Sequence, residues 1–515
     1  MQIKTQKNIK NETGLLIIPF FKEYLSGKTP AEYTTELNSF VKKFKKEKEF
    51  DGKKSENAIF TVDSKHLPEK LVFVGCGERD KFSAKHSREL GADICSLAKD
   101  NKQTKVIVIL TPELNLYVQE LVEGIALKNY RVSKYKTGAE LKKEEKKDVK
   151  EITLVTVTAK ESKVKESALK ALILAQAANI AKDLVNGPAN IVDADYFERV
   201  AKHLAGDYGY KLRVFNKQKL EHLGWGGLLA IGQGSTKPAK CIILEYRGGG
   251  SLPPVVLIGK GIIFDTGGYN LKPTKHIEDM HCDKAGASAI IGIFSVLKEL
   301  KIKQNVIGIL PLAENMIDGK ALRPSDIITM LNGKTVEITN TDAEGRVIVA
   351  DALTHGCSYK PRYMIDIATL TGSVMAALGD RYSGVLGNNN GSSHGSGQSL
   401  IKKIVQAGEE TDELMWELPI HEDHREKLKS KVADLVNCDE GTAHLAGASK
   451  GAAFLENFVD DKACKAWAHI DIAGTAFTKD PKKYEQNGAT AVGVRMILRL
   501  LERIGLPASI RTATQ

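Results

Sequence analysis

Residues 340–346 read Asn340-Thr341-Asp342-Ala343-Glu344-Gly345-Arg346. Two carboxylates and a guanidinium stand at every second position, so an extended backbone would send Asp342, Glu344 and Arg346 to one side. Carboxylates held close repel one another, and in a soluble enzyme a divalent cation is the usual compensation. The same residues also read as a helix start. Thr341-Asp342-Ala343-Glu344 fits a capping box, and Val347, Ala350, Leu353 and Thr354 follow at helical spacing. The seven residues leave both readings open.

Immediately upstream, residues 326–331 and 335–339 read as strands around Asn332-Gly333, the strongest two-residue hairpin signal, which delivers the chain into the acidic stretch. Gly333-Lys334-Thr335 resembles the end of a phosphate loop, but the position that loop reserves for its first glycine is Ile328, so a nucleotide site fails on spacing. Further upstream runs Val255-Val256-Leu257-Ile258-Gly259-Lys260-Gly261-Ile262-Ile263-Phe264-Asp265-Thr266-Gly267-Gly268. This is an apolar strand interrupted by one lysine and closed by an aspartate and paired glycines. A buried lysine is uncommon unless paired or ligating, because desolvation disfavours the ammonium; the alternative is an edge position with the amine in solvent. Lys272 and Asp283 follow, and Ala285-Gly286-Ala287-Ser288-Ala289-Ile290-Ile291-Gly292 opens a helix of small residues.

Towards the amino terminus, strands are expected at 57–62, 70–75, 105–110 and 151–157, and helices at 83–99 and 114–128. That alternation predicts an α/β layer domain over residues 1–160. Gly75-Cys76-Gly77 lacks the third glycine and acidic partner of a dinucleotide fingerprint. An alanine-rich helical pattern over 162–184 predicts a linker helix, 161–185, ending at the Gly187-Pro188 breaker. Beyond it β/α alternation resumes, with helices at 197–204 and 219–223 and strands at 211–215, 241–246, 306–311, 363–367 and 466–472. A helix at 488–504 closes the chain. The expected fold is therefore α/β, a smaller N-terminal α/β domain plus a larger catalytic domain, 186–515, with a central mixed sheet flanked by helices.

Composition bounds the function classes. The chain has 515 residues, 42% hydrophobic, and a net charge of +10. Much of the excess lies in runs such as Lys42-Lys43-Phe44-Lys45-Lys46 and Lys142-Lys143-Glu144-Glu145-Lys146-Lys147. These lack regular aromatic partners, so a nucleic-acid groove is not favoured over a solvated face. Seven scattered cysteines without a C-x-x-C pair read as reduced thiols of a cytoplasmic protein. No stretch approaches a membrane span, and the apolar run at 14–21 is too short and too late for a signal peptide. Gly447-Ala448-Ser449-Lys450-Gly451 matches a nucleophile elbow, but no strand precedes it and Asp460, Asp461 and His469 crowd too closely behind it for a serine hydrolase triad. His421 and His424 form an i, i+3 pair on a charged helix, the pattern of solvated surface.

The anomalies collect into one set: Lys260, Asp265, Asp283, Asp342 and Glu344 as metal-type ligands, with Lys272 and Arg346 as cations beside them. A carboxylate-dominated set is hard and suits manganese, magnesium, cobalt or carboxylate-bound zinc. Four carboxylates exceed what one zinc usually takes, and two bridged metals would use them all. A two-metal phosphoesterase could share these carboxylates. Lysine ligates only as the neutral amine. Arg346 cannot be a base and is assigned to an anion, substrate or bicarbonate; Lys272 is the candidate electrophile for a tetrahedral oxyanion.

Residues 340–346 resemble the signature of the leucyl (cytosol) aminopeptidase family, dinuclear metallo-exopeptidases. The likeness extends to Gly259-Lys260-Gly261, Phe264-Asp265-Thr266-Gly267-Gly268, Asp283, Ala368-Thr369-Leu370-Thr371-Gly372 and Ala468-His469-Ile470-Asp471-Ile472-Ala473-Gly474, over roughly residues 180 to 500. The resemblance implies a metal-dependent aminopeptidase that removes leucine-type and other apolar N-terminal residues from peptides through a two-metal-activated water. By it, Lys260, Asp265, Asp283, Asp342 and Glu344 bind two divalent ions, zinc or manganese with magnesium or cobalt as alternatives, and Asp265 and Glu344 bridge. Lys272 assists at the carbonyl oxygen and Arg346 holds bicarbonate as general base. Met280, Thr369, Gly372, Ala473 and Ala476 line the pocket for the first side chain, and the Leu370 carbonyl meets substrate. A homohexamer with active sites facing an interior cavity is also implied. Two departures touch the pocket: Lys284-Ala285-Gly286-Ala287-Ser288 stands where the family commonly has Met-Gly-Gly-Ala-Ala, and Tyr269-Asn270-Leu271 where bacterial members often have Ile-Ser-Ile.

Overall fold

A computed structural model describes residues 1–9, 12–25, 27, 37–41, 50–64, 66–132, 135–388, 396–439 and 445–505. The lysine run at 42–46 and most of the Gly/Ser/Asn stretch at 388–398 lie outside them. The chain divides into two compact units, residues 1–176 with 480–487, and residues 177–479 with 488–515.

In the first unit, six strands form one mixed sheet among the described residues: β1 (Gln2–Gln6), β2 (Leu15–Phe21), β3 (Asn57–Thr61), β4 (Lys70–Gly77), β5 (Lys105–Ile109) and β6 (Glu151–Val155), ordered β1-β6-β5-β2-β4-β3. All pairings are parallel except β3 with β4. The apolar run at 15–21 is the fully buried β2, as expected of a strand covered on both faces. The polar amino terminus forms edge strand β1, which its composition did not announce. Helices α1 (Ala84–Asp100) and α2 (Val118–Lys128) pack together, and the second is preceded by a separate turn of helix at Pro112–Asn115 rather than running unbroken from 114. Arg88 on α1 and Glu123 on α2 form a buried ion pair at 3.1 Å. Helix α3 (Glu161–Asn186) passes from the first unit into the second.

The second unit carries a nine-stranded mixed sheet among the described residues. It contains β7 (Lys211–Phe215), β8 (Lys240–Arg247), β9 (Val255–Gly259), β10 (Gly261–Asp265) and β11 (Asn305–Asn315). A hairpin of β12 (Ile327–Thr329) and β13 (Thr335–Glu337) lies outside this sheet, which resumes with β14 (Tyr363–Ala368), β15 (Ser383–Gly387) and β16 (Met415–Glu417). After β17 (Leu435–Val436), which pairs with β13, it ends with β18 (Trp467–Asp471). Its order is β16-β15-β18-β14-β9-β11-β8-β7, with β10 also on β11. Helices α4 (Ala194–Tyr208), α5 (Ala285–Phe294), α6 (Glu344–Cys357), α7 (Gly447–Glu456) and α8 (Val494–Gly505) surround it. Every residue of α5 is buried, and α6 sends Val347, Ile348, Val349 and Leu353 into the core shared with Val256, Ile258 and Met364. A helix apolar all round belongs in an interior, and α5 enters it directly after the turn that carries Asp283.

Five local expectations are corrected. Residues 340–343 form a turn and α6 begins at Glu344, so the acidic stretch is not extended. Nor is there a capping box: the N-cap is Ala343, with no side-chain cap, because Thr341 is bonded elsewhere. The strand at 255–265 is two strands, β9 and β10, broken at Lys260; both pair with β11, Ile258 opposite Ile309 and Gly261 opposite Leu312, and the register shifts between Ile262 and Asp265. The hairpin loop has three residues: Met330 N donates to Lys334 O, and Gly333 takes φ +86°, the left-handed geometry such loops require. The last helix starts at Val494, preceded by a short strand, Gly488–Ala489, paired with Phe477–Thr478. Residues 447–451 are the first turns of α7, with Ser449 buried in helix, so no nucleophile elbow exists.

Candidate active site

β9, β14 and β18 run parallel to one another, and β9 and β10 run parallel to β11, so their carboxyl ends meet at one end of the sheet. In open α/β sheets that is where ligands bind, because the loops leaving the strands diverge there. Lys260 follows β9, Asp265 closes β10, Thr369 and Leu370 follow β14, and Ala473 follows β18. A cavity of about 480 Å³ opens among them.

Lys260 is not at an edge: it is 2% exposed. Its backbone N–H donates to Ile367 O and its carbonyl accepts from Ala287 N, which ties β9 to β14 and α5. The ammonium donates to Asp283 Oδ1 (2.8 Å) and Thr369 O (2.7 Å) and lies 3.0 Å from Glu344 Oε1. Its side chain passes over Gly345, where a Cβ would stand 2.4 Å from Lys260 Cε; the glycine in the acidic stretch is there to let the lysine through. Lys272 Nζ sits 2.9 Å from Asp265 Oδ2 and 2.5 Å from Asp342 Oδ1. Oxygens of Asp265, Asp342 and Glu344 lie within 4.8 Å of one another, close enough to share a cation.

The electrostatics follow from burial and crowding. Burial works against the ammonium of Lys260, but Asp283, Glu344 and Asp265 outweigh it and hold the group above the ordinary lysine range. Lys272 is shifted the same way by Asp265, Glu344 and Asp342 acting against its burial. Burial pushes the Asp283 carboxyl up, with Lys260 opposing and Glu344 and Asp265 adding to it. Asp342 is raised by burial and by the same two neighbours. Glu344 Oε2 is buried without a hydrogen-bond partner. A crowded hard-oxygen set with an orphaned buried carboxylate oxygen fits divalent cations.

Arg346 is 7% exposed and borders the cavity; its Nη1 donates to Asn437 O (2.9 Å) and its Nε, also buried, has no partner. Met280, Thr369, Leu370, Gly372 and Ala473 line the cavity together with Leu271 and Met375. Ala476 is buried, 2% exposed, and is not among the lining residues. Thr369 has a second contact, donating from Oγ1 to Asp283 Oδ1 at 2.5 Å.

Several supporting residues carried no sequence signal of their own. Asn315 Nδ2 donates to Asp265 Oδ1 (2.9 Å) and Thr341 O (3.0 Å), and Asn270 Oδ1 accepts from Thr341 N (2.9 Å), linking the loop after β10 to the acidic turn. Asp471 accepts from Leu370 N and from Thr371 Oγ1 (2.6 Å) and Ala473 N, joining two walls of the cavity. Asp366 Oδ1 is 2.5 Å from His469 Nδ1, both fully buried, so His469 serves the sheet interior rather than any triad. Lys284, fully buried, donates to Gly187 O (2.9 Å) and His281 O (2.7 Å). Asp471 and His469 lay inside a recognised motif, but their roles depend on strand pairing.

Residues 179–498 match the profile described as cytosol aminopeptidase family, catalytic domain, and residues 17–139 that family's N-terminal domain. A probable cytosol aminopeptidase of Geobacter sp. (strain M21) is 34% identical, covering 98% of this chain and 99% of that protein. One of Persephonella marina is 35% identical, over 97% of this chain and 99% of that protein. Among solved structures, the bottromycin maturation enzyme BotP, also solved in complex with Mn, superposes with a TM-score of 0.81 at 27% identity, covering 96% of this chain and 100% of that one.

Proposed function

Because the chain belongs to the cytosol aminopeptidase family, we propose that it is a metal-dependent exopeptidase that hydrolyses the first peptide bond of its substrates and prefers leucine and other apolar first residues. One observation carries this reading: four carboxylates and two lysines from four separate segments converge where the parallel strands end, with a buried oxygen of Glu344 left unpartnered.

In this reading Lys260, Asp265, Asp283, Asp342 and Glu344 would hold two divalent cations, and zinc or manganese suits the donors best. BotP's complex with Mn is in keeping with that choice. Bound there, such cations supply Lewis acidity towards a carbonyl and lower the pKa of water. A cation among the carboxylates also reverses the local field that now favours the Lys260 ammonium, the condition under which a lysine amine can ligate.

The protein's own groups do the remainder. Lys272 donates to the substrate carbonyl oxygen as negative charge develops on it, an interaction stronger in the transition state than in the ground state. Arg346 would hold an anion such as bicarbonate, which would supply the general base that a guanidinium itself cannot be. Met280, Thr369, Gly372 and Ala473 shape the place of the first side chain, and the Leu370 carbonyl accepts from substrate. The protein acts in the cytoplasm as a homohexamer. Among the described residues no helix is long and apolar enough to cross a membrane.

The test is release of the first residue from a panel of aminoacyl amides by protein reloaded with Mn²⁺ or Zn²⁺, with phosphate esters as a parallel arm. Metal-dependent release, fastest for leucine, is expected. Failure on every amide, or turnover of phosphate esters alone, overturns the reading.

A further inference from the structure

Asn437 directly follows β17 and is 1% exposed. Its Oδ1 accepts from Thr339 N (2.9 Å), Asn340 N (3.3 Å) and Thr339 Oγ1 (3.2 Å). Its Nδ2 donates to Asn340 O (2.7 Å) and Ala343 O (3.4 Å). The backbone takes part as well: Asn437 N donates to Glu337 O (2.9 Å), and Asn437 O accepts from Arg346 Nη1 (2.9 Å). One residue thus grips the chain on both sides of Asp342 and also holds the guanidinium of Arg346.

This concentration has a physical reason. β13 ends at Glu337 and α6 begins at Glu344; Ile338 still exchanges backbone bonds with Ser325 and Asp326, but the backbone from Thr339 on has neither ladder nor helix to satisfy its polar groups. A primary amide offers two donors and an acceptor in one plane, which is what such a turn lacks. Asp342 projects from that turn, and Glu344 takes its position from the helix start that the turn sets.

We propose that Asn437 is the positioning residue of the metal centre: it fixes the 339–343 turn so that Asp342 and Glu344 converge on Asp265, and it orients Arg346 at the cavity wall. The proposal rests on the metal reading given above. Aspartate could not substitute, because it has no donor for Asn340 O and Ala343 O and would add a carboxylate beside two others. Glutamine would overreach by one methylene.

Asn437→Ala and Asn437→Asp are compared with wild type and with a neighbouring control, Asp434→Ala. Asp434 accepts from Thr335 N (2.8 Å) and Thr335 Oγ1 (3.0 Å) and so braces β13 from the same segment. Mn²⁺ is titrated calorimetrically into each chelator-treated, full-length protein, and kcat and KM are measured separately on leucine amide. Outer residues that orient metal ligands typically change affinity by about 10–100-fold, and that loss is expected for Asn437→Ala, with kcat reduced and KM little changed. Asn437→Asp should recover none of it, and Asp434→Ala should match wild type. A folded Asn437→Ala with affinity and kcat within about twofold of wild type overturns the proposal, as does an equal loss in the control. If both Asn437 variants fail to fold, the residue serves stability and the proposal is also overturned. A wild-type protein that binds no Mn²⁺ overturns the metal reading itself, a result distinguishable from failure of the variants alone.

Discussion

Replacing Lys260 by methionine keeps an unbranched stem over Gly345 and removes only the charge and its donors. Lys260 stands between Asp283 and Glu344, 2.7 and 3.0 Å from their oxygens, and the three side chains are 3%, 6% and 2% exposed. Removing one member of a buried ion cluster leaves its partners uncompensated and typically costs about 3–5 kcal/mol. At roughly 2 °C per kcal/mol, the low end for domains of this size and above, chelator-treated Lys260→Met should melt about 6–10 °C below equally treated wild type. Adding Mn²⁺ should narrow the gap, because a dication at the same carboxylates compensates them from the other side, and binding to the folded form stabilises it with the logarithm of free metal over its dissociation constant. Scanning calorimetry of both proteins, each with chelator and with saturating Mn²⁺, gives the four melting points needed. A chelated variant within about 2 °C of wild type would refute the account of Lys260 as the charge that holds the empty carboxylates together. So would a gap that metal leaves unchanged.

Other outcomes test neighbouring parts of the account. Gly345→Ala puts a methyl 2.4 Å from Lys260 Cε, and overpacking of this kind costs about 1–3 kcal/mol; weaker Mn²⁺ binding should accompany a lower melting temperature. In the amino-terminal unit, Glu123→Gln strands the buried Arg88 guanidinium and should cost about 3–5 kcal/mol, whereas Arg88→Met combined with Glu123→Leu should cost much less, read by calorimetry. The raised Asp283 and Asp342 carboxyls keep protons that the unfolded chain has already released above its ordinary carboxylate pKa. Their contribution to stability without metal therefore falls as pH rises from that value through the raised folded ones, while the raised lysines stay charged across the whole window. Melting temperatures of chelated protein at a series of pH values, repeated for Asp283→Asn, should show the fall in wild type and a shallower one in the variant.

The legible parts of this protein are those where a residue contradicts its surroundings. Lys260 in an apolar run and two acids in a seven-residue signature announce a site before any fold is known, and Asn332-Gly333 announces the hairpin that leads into it. The layered α/β arrangement was equally plain from apolar runs such as residues 105–110 and 255–259, whereas the run at 14–21, read only as too short for a signal peptide, turns out to be the buried strand β2. Spacing misled where local geometry had two solutions: the alternation of Asp342, Glu344 and Arg346 suits a strand, yet the apolar residues after Glu344 carry the helix back to the first of its buried positions. Asn437 and Asn315 could not be read at all, and Asn270 stood out only as part of a departure from the family pattern. A neutral amide in an irregular segment has no period, no charge and no unusual neighbour in sequence, and its importance arises only when distant backbone turns to it. Asp471 is intermediate, since its motif is visible but its grip on Leu370 and Thr371 depends on β18 lying beside β14.

The candidate ligands reach the cavity from the break between β9 and β10, the end of β10, the turn before α5 and the start of α6. Along the chain they are too far apart to gather without the sheet, so an unfolded chain offers a divalent ion little beyond the nearby Asp342 and Glu344. A bound ion therefore favours the closed structure almost exclusively, and its loss raises the equilibrium population of locally opened forms. Where opening is fast compared with cleavage, proteolysis tracks that population. Metal supply would then set the lifetime of this peptidase against other proteases as well as its rate, and brief chelation should appear as new cuts near residues 260–285 and 337–346 before any global unfolding.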